Sequence, residues 1–256
     1  NKSMFSFSKV RGFAATTLGF IVLGITGIPY CILLLFLLPV RSVRIKLGNY
    51  YGHAVGPILI ALTGTKMHVK NKERLDPTRP AIYITNHSSN LDPLIAISIC
   101  PIGGCGISKK QLVYTPFFGL VYLLSGHLLI DRSNRSKAIK SMNRIADIVQ
   151  KHNLSLWIWP EGTRSRDGRL LPFKKGFVHL ALATKLPIVP IITHDGHKRW
   201  PARKLDIHPG KLPVEVLSPI DTSAWTLETL DEHLRMVQDI CNEALSPEQR
   251  LLPVES

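Results

Sequence analysis

A long uncharged stretch, Phe13–Val40, limits how the first part of the protein can fold. Its 28 positions would form about 42 Å of straight helix, against a bilayer hydrocarbon core about 30 Å thick. Pro29 and two preceding glycines interrupt the run, and proline disfavours a continuous helix. The run therefore predicts two halves, Phe13–Ile28 and Tyr30–Leu38, each too short to span a bilayer alone.

Basic residues flank this run on both sides. They are Lys9 and Arg11 before it and Arg41, Arg44 and Lys46 after it. A single span usually carries an excess of basic residues on its cytoplasmic side, so flanks of similar charge favour a segment that returns to its starting side. We expect a membrane-embedded helical hairpin on the cytoplasmic face of a bacterial inner membrane. A tilted single span and a signal peptide are the alternatives.

The charge of the chain is strongly basic and unevenly distributed. The net charge is +14, and the first acidic residue is Glu73. A basic N-terminal third is compatible with nucleic acid or with anionic lipid as a partner. Because the uncharged run lies among these basic residues, we expect a membrane partner and no nucleic acid.

The cysteines and histidines do not indicate a metal site. Cys31, Cys100, Cys105 and Cys241 lack zinc-ligand spacing and suggest no disulfide framework. His194 and His197 lie three residues apart, but no further ligands are evident near them. The sequence therefore predicts no metal and no cofactor.

From about residue 65 onward, short apolar runs alternate with segments of helical periodicity. Strands are predicted at 81–85, 103–110, 126–130, 155–159, 188–193 and 214–217, and helices at 93–100, 136–152, 174–186 and 227–245. This alternation is typical of α/β proteins. We predict an α/β domain over residues 65–256, with a largely parallel central sheet flanked by helices, preceded by the hairpin segment over residues 1–64.

A histidine and an aspartate lie between the first predicted strand and the first predicted helix. They are His87 and Asp92, five residues apart. Loops at the carboxyl ends of parallel strands carry ligands and chemistry in open α/β sheets. A bend between the two residues lets the carboxylate reach one imidazole nitrogen, which leaves the other as a general base. An ordinary buried histidine beside an N-capping aspartate is the alternative.

A second polar cluster follows the strand predicted at 155–159. The turn Pro160–Arg164 contains a glycine that permits close backbone approach, and Arg164 offers a planar fork for an oxyanion. Lys174 adds positive charge where a helix begins. A solvated turn in which Arg164 pairs with Glu161 or Asp167 is the alternative.

Together these motifs resemble the 1-acylglycerol-3-phosphate acyltransferases, also called lysophosphatidic acid acyltransferases. Four blocks occur in family order: Asn86–Asp92 as N-H-x4-D, Gly126–Arg132 as G-x-x-x-I-D-R, Pro160–Arg164 as P-E-G-T-R, and Ile188–Ile191. The resemblance covers roughly residues 65–220. It is specific because the combination and spacing are not generic. His127 and Leu129 depart from the usual second block.

The resemblance implies transfer of a fatty acyl group from acyl-CoA or acyl-carrier protein to the free hydroxyl of a lysophospholipid. His87 and Asp92 would be catalytic. The substrate-binding set would be Arg132, Glu161, Gly162, Thr163, Arg164 and Lys174. Another lysolipid or glycerol-phosphate acceptor, a serine esterase using Ser88 or Ser89, and a non-enzymatic membrane protein are the alternatives.

Overall fold

The computed structural model describes residues 7–114, 118–131 and 134–252. Across these residues, α-helices and β-strands alternate after two long N-terminal helices. The helices are α1 (Phe7–Phe36), α2 (Arg41–Leu62), α3 (Asp92–Ile99), α4 (Phe118–Leu124), α5 (Arg135–His152), α6 (Gly176–Thr184), α7 (Gly196–Arg199) and α8 (Leu230–Ala244). The strands are β1 (Thr65–Lys70), β2 (Ile82–Thr85), β3 (Gly104–Lys109), β4 (Leu128–Ile130), β5 (Ser155–Ile158), β6 (Ile188–Thr193) and β7 (Gly210–Val216).

The seven strands of the described ranges form one sheet in the order β1-β7-β6-β2-β5-β3-β4. Neighbouring strands are parallel except for β6 and β7, which run antiparallel. The predicted α/β fold with a largely parallel sheet is therefore confirmed. Because β2 and β5 are parallel neighbours, the loops that follow them leave the same edge of the sheet.

The strand side chains alternate between two apolar layers. Ile82, Ile84 and Leu156 pack with α5, α6 and α8 on one face. Tyr83 and Trp157 pack with α2 and α3 on the other face. Strands covered on both faces read as continuous apolar runs, which is why β2, β5 and β6 were predictable from sequence.

The N-terminal run forms one helix, so the predicted break near Pro29 is wrong. Helix α1 is 30 residues long and contains Pro29 without a break. The turn to α2 begins only after Phe36. Contacts on both sides of the proline hold the helix together. Tyr30 stacks on Tyr51 of α2 with ring centroids 4.2 Å apart, and the Thr26 and Tyr51 hydroxyls are 2.9 Å apart. Helices α1 and α2 therefore form a hairpin whose turn lies about ten residues later than predicted.

Helix α2 packs closely against α3 through glycines four residues apart. A side chain at Gly52 would lie 2.6 Å from the Ile97 carbonyl oxygen, and one at Gly56 would overlap the Ser98 side chain. Polar contacts strengthen this attachment. The Asn49 amide donates to the Gly104 carbonyl at 3.0 Å and accepts from the Gly103 N–H at 2.8 Å. Helix α2 is thus fastened to the loop that precedes β3.

One of the predicted basic flanks turns inward. The Arg44 side chain is buried and donates to the Leu124 carbonyl at 2.6 Å, at the C-terminal end of α4. Carbonyls in the last turn of a helix lack intrahelical partners, and a cation there is favourable. Arg44 therefore stabilises α4 and does not belong to the exposed charge around the hairpin.

Candidate active site

The structure brings His87 and Asp92 into contact at the carboxyl end of β2. The His87 Nδ1 and Asp92 Oδ2 atoms are 2.7 Å apart. The side chains of His87 and Asp92 are 12% and 2% exposed, respectively, so the ring faces an opening and the carboxylate lies behind it. With Nδ1 donating to the carboxylate, Nε2 carries the lone pair and is free to accept a proton.

The Asp92 carboxylate is turned back into the loop that precedes it. Its Oδ2 also accepts from the N–H groups of Ser88 at 2.8 Å and Ser89 at 2.9 Å, and its Oδ1 accepts from the Ser89 hydroxyl. The cap position of α3 is Leu91, and no side chain caps it. Asp92 therefore holds the loop and the imidazole together instead of acting as a helix N-cap.

The two serines of this loop are not placed as nucleophiles. The Ser89 hydroxyl bonds to Asp92, and the Ser88 hydroxyl is buried with no partner among the described residues. A serine nucleophile needs its hydroxyl within hydrogen-bond reach of the base. In the described structure, His87 bonds to Asp92 through its ring and to neither serine hydroxyl.

The Glu161 turn holds the main chain of His87. Glu161 Oε1 accepts from the His87 N–H at 2.6 Å and Oε2 accepts from the Leu171 N–H at 2.9 Å. The His87 carbonyl in turn accepts from the Ser165 N–H at 2.8 Å. Glu161 is 2% exposed and does not line the cavity described below. The structure thus places Glu161 behind the turn, apart from the four members of the predicted substrate-binding set that line the cavity.

Burial raises the pKa of Glu161 to about 8, although its two amide donors oppose the shift. The nearby negative charge of Asp92 adds to the rise in this pKa. A buried carboxyl beside a second carboxylate favours its neutral form. Burial thus favours the neutral form of Glu161, whereas the two backbone hydrogen bonds that its oxygens accept favour the charged form.

Four of the predicted substrate-binding residues line one cavity with His87: Gly162, Thr163, Arg164 and Lys174. Gly162 has a φ of +72°, which a side chain would strain, and its N–H closes the turn onto the Trp159 carbonyl. The Arg164 Nε atom is buried without a hydrogen-bond partner among the described residues. Asp167 bonds to Ser165 and approaches Arg169 instead. Arg164 therefore lines the cavity with no ion pair to a carboxylate of the described residues, and the alternative pairs predicted with Glu161 and Asp167 do not form.

The cavity has a volume of about 840 Å³ and its lining is mostly apolar. Helix α1 forms part of its wall through residues that include Ala15, Gly19 and Leu23. A cavity of this size accommodates a substrate of several hundred Å³ with few polar groups. An apolar cavity that runs from α1 to a cationic rim beside His87 suits an amphiphilic substrate.

Three further features of the site escaped the sequence analysis. Trp159 stacks on the His87 ring with centroids 4.8 Å apart. The buried Asn86 side chain exchanges two hydrogen bonds, of 3.0 and 2.8 Å, with the main chain of Thr193 at the end of β6. His127 lines the cavity, and its Nδ1 accepts from the Gly106 N–H at 3.1 Å while burial lowers its pKa to about 4. The available signal was their place in the motifs, because Asn86 and His127 lie within two of the blocks and Trp159 directly precedes a third.

Two further points from the sequence analysis concern Arg132 and metal binding. Arg132, predicted to bind the acceptor, lies outside the described residues. Within the described part of the chain, no three His, Cys, Asp or Glu side chains are grouped to hold a metal ion.

The α/β fold carries a His–Asp pair at one edge of its sheet, and comparisons with known proteins identify the chain as an acyltransferase. The profile of the Acyltransferase family matches residues 66–194. A 1-acyl-sn-glycerol-3-phosphate acyltransferase from Limnanthes douglasii is 41% identical over 233 residues, 91% of this chain and 82% of that protein. The protein of the same name from Escherichia coli is 37% identical over 192 residues, 74% of this chain and 77% of that protein. The chain belongs to the 1-acyl-sn-glycerol-3-phosphate acyltransferase family, as its motifs indicated.

A solved structure shares the fold. The 1-acyl-sn-glycerophosphate (LPA) acyltransferase PlsC from Thermotoga maritima superimposes with a TM-score of 0.71. The alignment covers 90% of this chain and 94% of that chain at 22% sequence identity. The fold of this chain, over nine-tenths of its length, therefore belongs to an architecture already seen in a crystal.

Proposed function

We propose that this enzyme transfers a fatty acyl group from acyl-CoA or acyl-carrier protein to the free hydroxyl of 1-acylglycerol 3-phosphate, giving phosphatidic acid. The observation that carries the proposal is the 2.7 Å contact between His87 Nδ1 and Asp92 Oδ2, on the wall of a cavity that also contains Arg164. The names of the relatives support the same acceptor.

In this proposal His87 is the general base. Its Nε2 takes the proton of the acceptor hydroxyl as that oxygen attacks the thioester carbonyl carbon. The tetrahedral intermediate then expels the thiolate, which takes the proton back from the imidazolium. Asp92 keeps the ring in the required tautomer and stabilises its positive charge. The acceptor hydroxyl is the nucleophile, so no serine or cysteine of the enzyme is acylated.

The acceptor phosphate is assigned to the cationic rim of the cavity. Arg164 is the main ligand, because its Nε atom has no hydrogen-bond partner among the described residues and a guanidinium can pair with a phosphate through two hydrogen bonds. Lys174 is exposed on the same rim, and Gly162 and Thr163 allow the phosphate close to the backbone. Arg132 completes this set in the proposal. Glu161 acts from behind, by holding the His87 main chain in place.

The lipid substrates are proposed to enter from a membrane that contacts α1. One helix among the described residues, α1, is long and apolar enough to cross a bilayer. Its inner side lines the cavity, while large apolar side chains such as Phe13, Ile25 and Phe36 are exposed on its outer side. A helix with one face on the domain and the other in lipid is monotopic. We assign it to the cytoplasmic face of the membrane, in a bacterium the inner membrane.

The proposal is tested by incubating the purified full chain with radiolabelled acyl-CoA and 1-acylglycerol 3-phosphate in vesicles. We expect labelled phosphatidic acid to form and the protein to remain unlabelled by a fluorophosphonate probe. A serine hydrolase would be labelled, and its product from acyl-CoA would be free fatty acid. Failure to acylate any lysolipid would refute the assignment.

A further inference from the structure

A short basic loop lies beside the start of α1. This loop, Trp200–Leu205, is called here the docking loop. Arg203 and Lys204 are exposed, and their side chains form no ion pair or hydrogen bond within the described ranges. Leu205, which follows them, is 51% exposed. Two free cations next to an exposed leucine resemble the residues that proteins place at a membrane surface.

The docking loop and α1 are parts of one surface. Gly12 lies against the Leu205 main chain so closely that a side chain there would overlap the Leu205 carbonyl. The Ser8 hydroxyl donates to Asp206 Oδ1 at 3.1 Å, and the Ile207 N–H donates to the Ser8 carbonyl at 3.2 Å. Any membrane that receives the start of α1 therefore lies next to the docking loop as well.

The charge of this surface matches anionic lipid. Lys9 is exposed on α1 and follows Ser8, whose hydroxyl donates to Asp206 directly after the docking loop. We propose that the docking loop and the first turns of α1 bind the anionic headgroups of a phospholipid bilayer, with Leu205 entering the interfacial layer. This inference rests on the proposed attachment of α1 to a membrane, and it does not depend on the acceptor.

The docking loop is also bonded to the catalytic motif. The Asn90 side chain, between His87 and Asp92 in sequence, donates to the carbonyls of Pro201 at 3.0 Å and Lys204 at 3.1 Å. The Asn90 N–H donates to the Trp200 carbonyl at 3.0 Å, and Trp200 lines the cavity. Binding of lipid by this loop therefore places the bilayer surface next to Asn90 and Trp200, two residues that line the cavity with His87.

A fluorescent label tests the depth of the docking loop without requiring catalysis. An environment-sensitive dye is attached to Leu205→Cys in full-length protein carrying Cys31→Ala, since the other three cysteines are buried. Phe13→Cys on α1 and Lys140→Cys on α5 serve as references. On vesicles of phosphatidylcholine and phosphatidylglycerol, positions 205 and 13 should report an apolar environment, and position 140 should remain aqueous.

An aqueous signal at position 205 with an apolar signal at position 13 would overturn the docking loop alone. Aqueous signals at both positions would overturn the attachment of α1 as well. Both results are independent of whether the enzyme acylates lysophosphatidic acid, so they separate this inference from the proposed reaction.

A charge-neutralised variant tests the choice of anionic lipid. Arg203→Asn combined with Lys204→Gln keeps the main chain, because Arg203 has a φ of +60° and asparagine tolerates that conformation. The vesicle concentration that gives the half-maximal rate should rise about thirtyfold on anionic vesicles, from roughly fivefold per basic residue. On neutral vesicles and on water-soluble short-chain substrates the rate should be unchanged.

The matched control is Lys140→Gln with Arg144→Gln, two exposed cations of α5 on the opposite face of the sheet. This control should respond to anionic vesicles as the unmodified protein does. Equal responses of the docking-loop variant and the control would overturn the proposal.

Discussion

The carboxylate of Glu161 accepts the backbone N–H of His87 at 2.6 Å, so the position of the candidate base depends on a residue 74 positions away. The same carboxylate holds Leu171, and Ser165 donates to the His87 carbonyl. His87 is thus fixed through its main chain by one loop and through its ring by Asp92. The turn after β5 therefore positions the candidate base, His87, and also forms part of the proposed anion site.

Replacing Glu161 by glutamine should reduce kcat and leave KM for the acceptor nearly unchanged. Glutamine keeps one acceptor but presents an N–H2 group to the other amide, so His87 or Leu171 loses its partner. A misplacement of the base by about 1 Å costs on the order of a hundredfold in rate. Steady-state kinetics check this, with Asp167→Asn, an exposed carboxylate of the same loop, as the control. A glutamine variant with the kcat of the unmodified protein would contradict the role.

The raised pKa of Glu161 predicts that part of the stability is lost at alkaline pH. The unfolded chain releases this proton near pH 4.5 and the folded chain near pH 8. The stabilisation that neutral Glu161 contributes is therefore complete below its pKa in the unfolded chain. It declines as the pH rises to the pKa of Glu161 in the folded chain. The contribution is at most a few kcal/mol. Urea unfolding from about pH 5 to about pH 9 should show this decline in the unmodified protein. The difference in free energy of unfolding between the unmodified protein and Glu161→Gln should narrow over that range. A constant difference would rule out the raised pKa of Glu161.

Sequence patterns predicted the sheet and the local loop chemistry well. The buried strands were recognisable as short apolar runs, and β6 begins and ends at the predicted residues. His87 and Asp92 lie within one loop, so their contact required only a bend between a strand and a helix. Strand β1 was missed, because it is an edge strand with alternating exposed basic residues and reads as a polar segment.

Features that depend on distant contacts were not predictable. Whether Pro29 breaks a helix depends on the packing of Tyr30 and Tyr51, which sequence periodicity does not contain. Arg44 appeared to be a surface flank, yet the C-terminal carbonyls of α4 bind it inside. A single sequence does not indicate that an acidic residue in a phosphate-binding motif will bind two amides instead.

Removing the His87 side chain should abolish most acyl transfer. Loss of a general base costs about 10²–10⁴ in rate, and His87→Ala leaves the Glu161 contact to the main chain intact. Asp92→Asn should also lower the rate, since the amide cannot stabilise the imidazolium. The rate of this variant must be interpreted together with its thermal melt, because Asp92 also accepts hydrogen bonds from the Ser88 and Ser89 amides. Near-normal turnover by a folded His87→Ala variant would refute the mechanism.

A glycine pair tests the attachment of the hairpin to the domain. Gly52→Ala should lower the free energy of unfolding by about 1–3 kcal/mol, the usual cost of overpacking, because the new methyl group meets Ile97. Gly24→Ala in α1 meets nothing within 4 Å. It should stabilise the helix by up to about 1 kcal/mol. Thermal melts in detergent measure both variants. A stabilising effect of Gly52→Ala would show that α2 is not packed as described.

Arg164 should determine the preference for a phosphate acceptor. A terminal phosphate carries more than one negative charge near neutral pH, whereas a phosphocholine headgroup is zwitterionic, so the Arg164 guanidinium favours lysophosphatidic acid over lysophosphatidylcholine. Lysine cannot reproduce a two-bond contact with phosphate. Arg164→Lys should therefore raise KM for lysophosphatidic acid on the order of tenfold, the loss of about one charge-assisted hydrogen bond, and leave KM for acyl-CoA less affected. Competition between the two lysolipids measures the preference directly.

Lys175→Arg is the control, because Lys175 already pairs with Asp231 at 2.6 Å and the positive charge is kept in the variant. Equal use of both lysolipids by the unmodified enzyme, or an unchanged preference in a folded Arg164→Ala variant, would remove Arg164 from the acceptor site.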